Sequence, residues 1–271
     1  LKAPVLISIP HGGWKIAREI RPLWALSKQD AFHDGDPFTH RIYDFADQVK
    51  AQLVMEYYRA MVDLNRHYED LPPENPDGVI KSYTCWNVSV YHQGSFPDKN
   101  LRKQILDRYY HPYHRRLNEL LSDPDIRLAV DCHSMAAKTP LIPDGSSTVR
   151  PLVCLGNLGN ASGEDCGANS RTTCSGELIR FMADEFQRVL QHEDVDVTPL
   201  FPVLLNDPFR GGYITQRHGG GSVPFIQIEL SRALYLNQTY FNASNLRVKE
   251  SRIRGLNHKI WTVLSNTIKN L

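Results

Sequence analysis

Three short apolar runs, Val5 to Ile9, Leu128 to Val130 and Val223 to Ile228, each stop at a cluster of polar residues, and this pattern constrains the fold more than any other feature. Bounded runs of this length read as buried strands. The polar clusters are Ser8-Ile9-Pro10-His11-Gly12-Gly13, Asp131-Cys132-His133-Ser134 and Gln227-Ile228-Glu229-Leu230-Ser231-Arg232. Two histidines and a glutamate at the ends of buried strands are expensive to desolvate unless they have partners. A metal ion with a carboxylate base beside it provides those partners, which points to a zinc hydrolase.

Amphipathic helical segments alternate with these strands. Thr39 to Lys50 is expected to be a helix, with Ile42, Phe45, Ala46 and Val49 on one face. The β-branched and aromatic stretch Val54 to Leu64 is expected to hold one or two strands. Asp98 to Ser122 reads as a long helix that Pro112 should bend or break, because proline removes a backbone donor and clashes with the preceding turn. Ser175 to His192 is another helix, and a last one runs from about Asn245 to Asn270 and should cover one face of the sheet. The alternation predicts an α/β fold: a single domain over residues 1–271 with a central mixed, mostly parallel sheet flanked by helices. The loop Gly156 to Ser175, rich in Gly, Ser and Asn, is long enough to suggest a functional segment.

Charge narrows the partners. With 31 basic and 30 acidic side chains the formal net charge is +1, which argues against a general nucleic-acid or anionic-membrane binder and leaves a small-molecule substrate. No apolar stretch approaches the ~20 residues that span a bilayer. Because the sequence opens on Leu1 and not Met, it says little about targeting. Five cysteines at irregular spacing do not form a disulfide framework; Cys166 and Cys174 could pair, but the odd total favours thiols and a cytoplasmic setting.

Ligand sites of open α/β sheets form at the carboxyl ends of strands, where His11, His133 and Glu229 are expected. A catalytic zinc commonly takes three protein ligands, and two histidines leave the set one short. Many zinc hydrolases have a glutamate three residues after the first histidine; here that position is Trp14. The substitute is Asp34-Gly35-Asp36, with Asp36 favoured as ligand and Asp34 in reserve, unless these carboxylates merely cap a helix. In Asp63-Leu64-Asn65-Arg66, the guanidinium fork suits a substrate carboxylate, or Arg66 pairs with Asp63 or Glu69. The segment Asn206 to Thr215, with Arg210, Gly211, Gly212 and Thr215, looks like a substrate-lining turn. Plainer readings exist elsewhere. Glu229 could answer Arg232, and His111 with His114 reads better as part of an aromatic face than as a metal pair. Cys132 should point away from His133, since strand neighbours face opposite sides. Gly219-Gly220-Gly221 lacks the context of a phosphate loop.

Taken together the motifs resemble the N-formylglutamate amidohydrolase family. Seven of them stand in order: Pro10-His11-Gly12; Asp34 and Asp36 followed by Arg41-Ile42-Tyr43-Asp44-Phe45; Asp63-Leu64-Asn65-Arg66; Pro112-Tyr113-His114; Asp131, His133 and Ser134; Arg210-Gly211-Gly212-Tyr213-Ile214-Thr215; and Gln227 with Glu229. The resemblance implies a zinc carboxypeptidase-like fold, with His11 and His133 as zinc ligands, Glu229 as general base, and Asn65-Arg66 holding the substrate carboxylate. It further implies hydrolysis of an N-acyl amino acid, with N-formyl-L-glutamate the leading substrate in amino-acid (histidine) degradation. Arg210 would stabilise the oxyanion or bind a second carboxylate. The alternatives are a related zinc amidohydrolase or carboxypeptidase-like enzyme on another N-acyl amino acid or short peptide, and a non-catalytic binding module with a decayed metal site.

Overall fold

A six-stranded sheet runs through the centre of the computed structural model, which describes residues 2–139, 146–167, 171–197 and 199–271. Its strands are β1 (Ala3–Ile9), β2 (Val49–Val54), β3 (Leu128–Met135), β4 (Val153–Gly156), β5 (Val203–Leu205) and β6 (Phe225–Ser231), in the order β2-β1-β3-β6-β4-β5. Every neighbouring pair is parallel except β4 with β6, so the sheet is mixed and mostly parallel, as expected.

Strand parity decides which side chains do what. Val5, Ile7 and Ile9 of β1, Val130 and Cys132 of β3, and Ile226, Ile228 and Leu230 of β6 share one core. Helices α5 (Gly176–Leu190) and α7 (Glu250–Lys269) cover this face with Ile179, Met182, Phe186, Leu256, Ile260 and Leu264. Leu6, Ala129 and Phe225 point the other way, into a second core packed by α3 (Lys99–Ile105) and α4 (His111–Leu121) through Ile105 and Leu117. Ser8, Asp131, His133, Gln227 and Glu229 have the parity of this second face. Cys132 turns away from His133 into the first core, and burial pushes its thiol well above the ordinary range.

Several boundaries depart from the sequence reading. Two of the three apolar runs end before their strands do: β3 continues to Met135 and β6 to Ser231, while β1 stops with its run at Ile9. His133 and Glu229 therefore lie inside paired strands, in register with each other, instead of at strand ends. The expected helix over 39–50 is only α2 (Thr39–Ile42), and Val49 already belongs to β2. Side chains take the groups a longer helix would use: Phe45 N–H donates to Gln52 Oε1, and Asn257 Nδ2 donates to the carbonyls of Ile42 and Asp44. Ile42, Phe45 and Val49 still share one core, so their spacing reported a common buried face and not a helix.

In the stretch 54–64, only Val54 is in a strand; Tyr57 adds a single parallel bridge to Lys15, and the remainder is loop and turn, burying Ala60, Met61, Val62 and Leu64 in the second core. The long segment around Pro112 stays helical through a π turn (Leu106–Tyr110) that ends just before the proline, which sits in the first turn of α4. Asp98 caps α3 and Ser175 caps α5 by accepting from the backbone N–H of Leu101 and Leu178. The final helix begins at Glu250 because Phe241–Asn242 (β7) and Arg247–Val248 (β8) form a small antiparallel pair ahead of it. Among the described residues, the loop between β4 and α5 carries no helix or strand, and residues 168–170 of it lie outside the description. Cys166 and Cys174 do not form a disulfide. Among the described residues no helix is long and apolar enough to cross a membrane.

Candidate metal and substrate site

His11 follows β1, Asp36 lies between α1 (Lys28–Asp34) and α2, and His133 stands in β3; all three are buried. Their donor atoms lie within 4.8 Å of one another. His133 Nδ1 is 3.2 Å from His11 Nδ1 and 3.2 Å from Asp36 Oδ2, and His11 Nδ1 is 3.5 Å from the same oxygen. Of the two acidic candidates, Asp36 is thus the one between the imidazoles. Asp34 turns aside, accepting from Lys81 Nζ at 3.2 Å and the Cys85 N–H at 3.3 Å. Neither carboxylate caps a helix: Phe38 holds the cap position of α2, with no side-chain hydrogen bond.

The outer nitrogens set the tautomers. His11 Nε2 donates to Asp63 Oδ1 at 2.8 Å, and His133 Nε2 donates to Asp131 Oδ2 at 2.8 Å. An ionised carboxylate can only accept, so the proton of each neutral ring is on Nε2 and the Nδ1 lone pairs face inward. With both rings in that neutral form, two nitrogen lone pairs and a carboxylate oxygen converge with no proton among them. This donor set fits a divalent cation, and the aspartates are the outer partners that orient metal-binding imidazoles. Ser8 Oγ donates to Asp131 Oδ1 at 2.7 Å and sits 2.9 Å from Tyr113 Oη, which ties the pair to β1 and α4. Asp63 also accepts from Arg59 Nε at 2.7 Å; burial opposes its charge, but Arg59, His11 and Lys81 hold its carboxyl well below the ordinary range. Burial likewise opposes charge on Asp36, and the two imidazoles overcome it when protonated. Burial opposes a proton on His133, but Asp131 and Asp36 hold that ring well above the ordinary imidazole range, so a cation bound between them takes the place of that proton. Arg232 donates to Asp36 Oδ1 at 3.2 Å and to the Gly35 carbonyl at 2.5 Å, so it braces the loop carrying the carboxylate and does not answer Glu229.

Glu229 is paired in register with His133 on the neighbouring strand. Burial pushes its carboxyl up to about 7, with the charges of Asp36 and Asp131 adding to burial and those of His133 and Arg59 opposing it. Gln227, two residues earlier on the same face, donates through Nε2 to Glu229 Oε1 at 3.1 Å. Its Oε1 accepts from Gly212 N–H at 2.6 Å and from Thr215 Oγ1 at 3.4 Å. Glu229 is thereby tied to the turn that opens α6 (Tyr213–His218).

A cavity of about 750 Å³ opens over these groups, and His11, Asp36, Asn65, Arg66, His133, Arg210, Gly211, Gly212 and Glu229 all line it. Thr215 does not; it is buried beneath, holding Gln227. Gly212 passes so close to Asn65 that a Cβ there would collide with the amide, and Asn65 Oδ1 accepts from Ile214 N–H at 2.8 Å. Arg66 donates through Nη2 to Asp77 at 3.0 Å, with Asp63 at 4.0 Å and Glu69 not engaged. Arg210 donates from Nε to the Gly159 carbonyl at 3.1 Å and from Nη2 to the Leu158 carbonyl at 2.9 Å. His114 joins elements and lies outside the metal cluster: its Nδ1 is 2.8 Å from His218 Nε2, and its Nε2 donates to the Leu64 carbonyl at 3.0 Å.

Sequence reasoning passed over Arg59, Arg150, Lys81 and the bracing roles of Asp63, Asp131 and Gln227. Asp131 and Gln227 carried a usable signal, being two residues from a candidate on the same strand face. Arg59 and Lys81 reach the site from turns, where no periodicity marks them.

Residues 3–236 match the family model for N-formylglutamate amidohydrolase. Two curated proteins named N-formylglutamate deformylase, from Pseudomonas putida and Pseudomonas aeruginosa, are 27% identical over 247 and 246 residues, 88% of this chain and 84% of each relative. The crystal structure of an N-formylglutamate amidohydrolase from Ralstonia eutropha JMP134 aligns with a TM-score of 0.71 at 17% identity, covering 100% of this chain and 96% of that one. A gene product of Agrobacterium tumefaciens aligns with a TM-score of 0.65 at 15% identity, covering 99% and 90%. At these identities the two structures speak for the fold.

Proposed function

The chain belongs to the N-formylglutamate amidohydrolase family, and from that premise we propose that it is a metal-dependent amidohydrolase that converts N-formyl-L-glutamate and water to formate and L-glutamate. The observation that carries this reading is the convergence of His11 Nδ1, His133 Nδ1 and Asp36 Oδ2 beside Glu229, a buried carboxyl in register with His133.

A divalent ion held by His11, Asp36 and His133, zinc being favoured for a two-histidine, one-carboxylate set, supplies Lewis acidity toward the acyl oxygen and toward water when bound. The remaining work belongs to side chains. Glu229, ionised, takes a proton from the attacking water onto a carboxylate oxygen; the water oxygen adds to the formyl carbon. The C–N bond then breaks, and Glu229 returns the proton to the leaving nitrogen. A carboxyl that burial raises above the ordinary range suits both transfers, since it neither holds nor surrenders the proton too strongly. Arg66, with Asn65, is assigned to the α-carboxylate, and Gly211 and Gly212 form the wall against which the substrate lies. Arg210 has Nε and Nη2 taken up by carbonyls, and its Nη1 is assigned to the oxyanion, a contact of the kind worth ~3–4 kcal/mol.

The test pairs metal content with catalysis. Purified protein should contain about one zinc equivalent and release formate from N-formyl-L-glutamate, and chelation should abolish release until zinc is restored. Protein that carries no metal and gains no activity on adding zinc sinks the reading.

A further inference from the structure

Five arginines line the cavity: Arg59, Arg66, Arg150, Arg210 and Arg232. Four already have acceptors. Arg59 donates to Asp63, Arg66 to Asp77, Arg210 to the carbonyls of Leu158 and Gly159, and Arg232 to Asp36 and three backbone carbonyls. Arg66 and Arg150 both have a buried Nε without a hydrogen-bond partner, but Arg150 differs in that no described residue accepts from any part of its guanidinium or forms an ion pair with it. Its position is nevertheless well determined. The Arg150 N–H donates to the Ala137 carbonyl at 2.9 Å, just past the end of β3, and the guanidinium lies 5.1 Å over the Phe209 ring. Stacking on an aromatic face fixes the plane of the fork without using any of its donors.

A half-buried guanidinium with no acceptor carries a desolvation cost that an incoming anion removes. Burial depresses its proton affinity, Glu229 opposes that effect and Arg232 adds to it, which places Arg150 electrostatically beside the reacting centre. We propose that Arg150 is the specificity-determining residue for the second, side-chain carboxylate of the substrate, its unused fork donating to both oxygens of that group. The assignment rests on the deformylase reading and deepens it: Arg66 and Asn65 hold one carboxylate, and Arg150 makes the enzyme require the other. Arg210, the obvious alternative from sequence, has two of its nitrogens committed to backbone carbonyls.

The test compares wild type with Arg150→Met, which keeps an apolar side chain against Phe209, on N-formyl-L-glutamate and the uncharged N-formyl-L-glutamine. The variant should lose about 10–100-fold in kcat/KM on the glutamate substrate, mostly through KM, and less than about 3-fold on the glutamine substrate. Arg150→Lys should recover part of the loss. Equal losses on both substrates, or no loss on either, overturn the assignment. Calorimetry with L-glutamate and L-glutamine reads the same contact without turnover: wild type should favour L-glutamate and Arg150→Met should not. If wild type releases formate from neither substrate, the deformylase reading fails by itself. Arg150 is then judged by calorimetry, where L-glutamate affinity unaffected by Arg150→Met, or absent from wild type, overturns its role.

Discussion

His133 and Asp131 lie two residues apart on β3, and that spacing alone puts both on one face, where His133 Nε2 donates to Asp131 Oδ2 at 2.8 Å. The aspartate decides which nitrogen of the ring carries the proton, and so which one is left with a lone pair for the cavity.

Asp131→Asn should therefore weaken zinc binding by about 10–100-fold. An amide can offer an N–H to Nε2, which allows the ring proton to move to Nδ1 and block the inward lone pair. Competition against a chromophoric chelator measures the affinity. An unchanged zinc affinity would reject the tautomer argument.

Glu229→Gln should lower kcat by about 10²–10⁴-fold while leaving bound zinc at wild-type stoichiometry. Wild-type kcat/KM should fall as pH drops through a pKa above the ordinary carboxylate range, because burial raises this carboxyl and the base must be ionised to accept the proton. An activity profile flat from pH 5.5 to 8.5 would exclude Glu229 as the base that controls the rate.

The same residue makes a stability prediction. Its folded-state pKa, about 7, lies above the ordinary 4.5, so folding takes up a proton between those values. The neutral form is fully retained below pH 4.5, and stability is lost as pH rises through 7. In chelated protein, Glu229→Gln should melt above wild type by roughly 5–10 °C at pH 8 and show little difference at pH 4.5. Thermal melts across that range check the sign.

Gly212→Ala should cost about 10-fold or more in kcat/KM, since the new methyl displaces the Asn65 amide and with it the Arg66 segment. Steady-state kinetics at native-like melting temperature separate this from a folding defect.

Ser175→Ala offers a control. It removes the cap on α5, which lies on the opposite side of the sheet from the cavity. Stability should fall by about 1 kcal/mol, with kinetic constants intact.

The extent to which the sequence could be read follows from how local each determinant is. The helices at 176–190 and 250–269 repeat their apolar residues at one period for many turns, and that repetition survives inspection. Thr39 to Lys50 failed because Ile42, Phe45 and Val49 reach one core from a short helix, a turn and a strand, a coincidence of spacing that periodicity cannot detect. His11, His133 and Glu229 were nameable because buried polar residues beside apolar runs demand partners, and Asp36 because two histidines left a ligand set one carboxylate short. The identity of those partners was another matter. Asp63 reaches His11 across 52 residues, Arg232 reaches Asp36 across 196, and Lys81 reaches Asp34 across 47. Only the folded chain sets these pairs together. Arg150 carried no motif at all, and it is marked by what it lacks in the fold.

The candidate ligands are unequally anchored, and this bears on how the site fails under stress. His133 and its neighbour Glu229 stand on interior strands, Glu229 in register with Cys154 and His133 on its two sides and His133 with Glu229, whereas His11 and Asp36 sit on connections outside the sheet. Backbone segments of the second kind open in excursions that stop short of global unfolding. The half of the site on β3 and β6 should therefore persist as a preformed template while the other half breathes. Amide exchange at His133 and Glu229 would track whole-molecule unfolding, and the residues around Asp36 would exchange first.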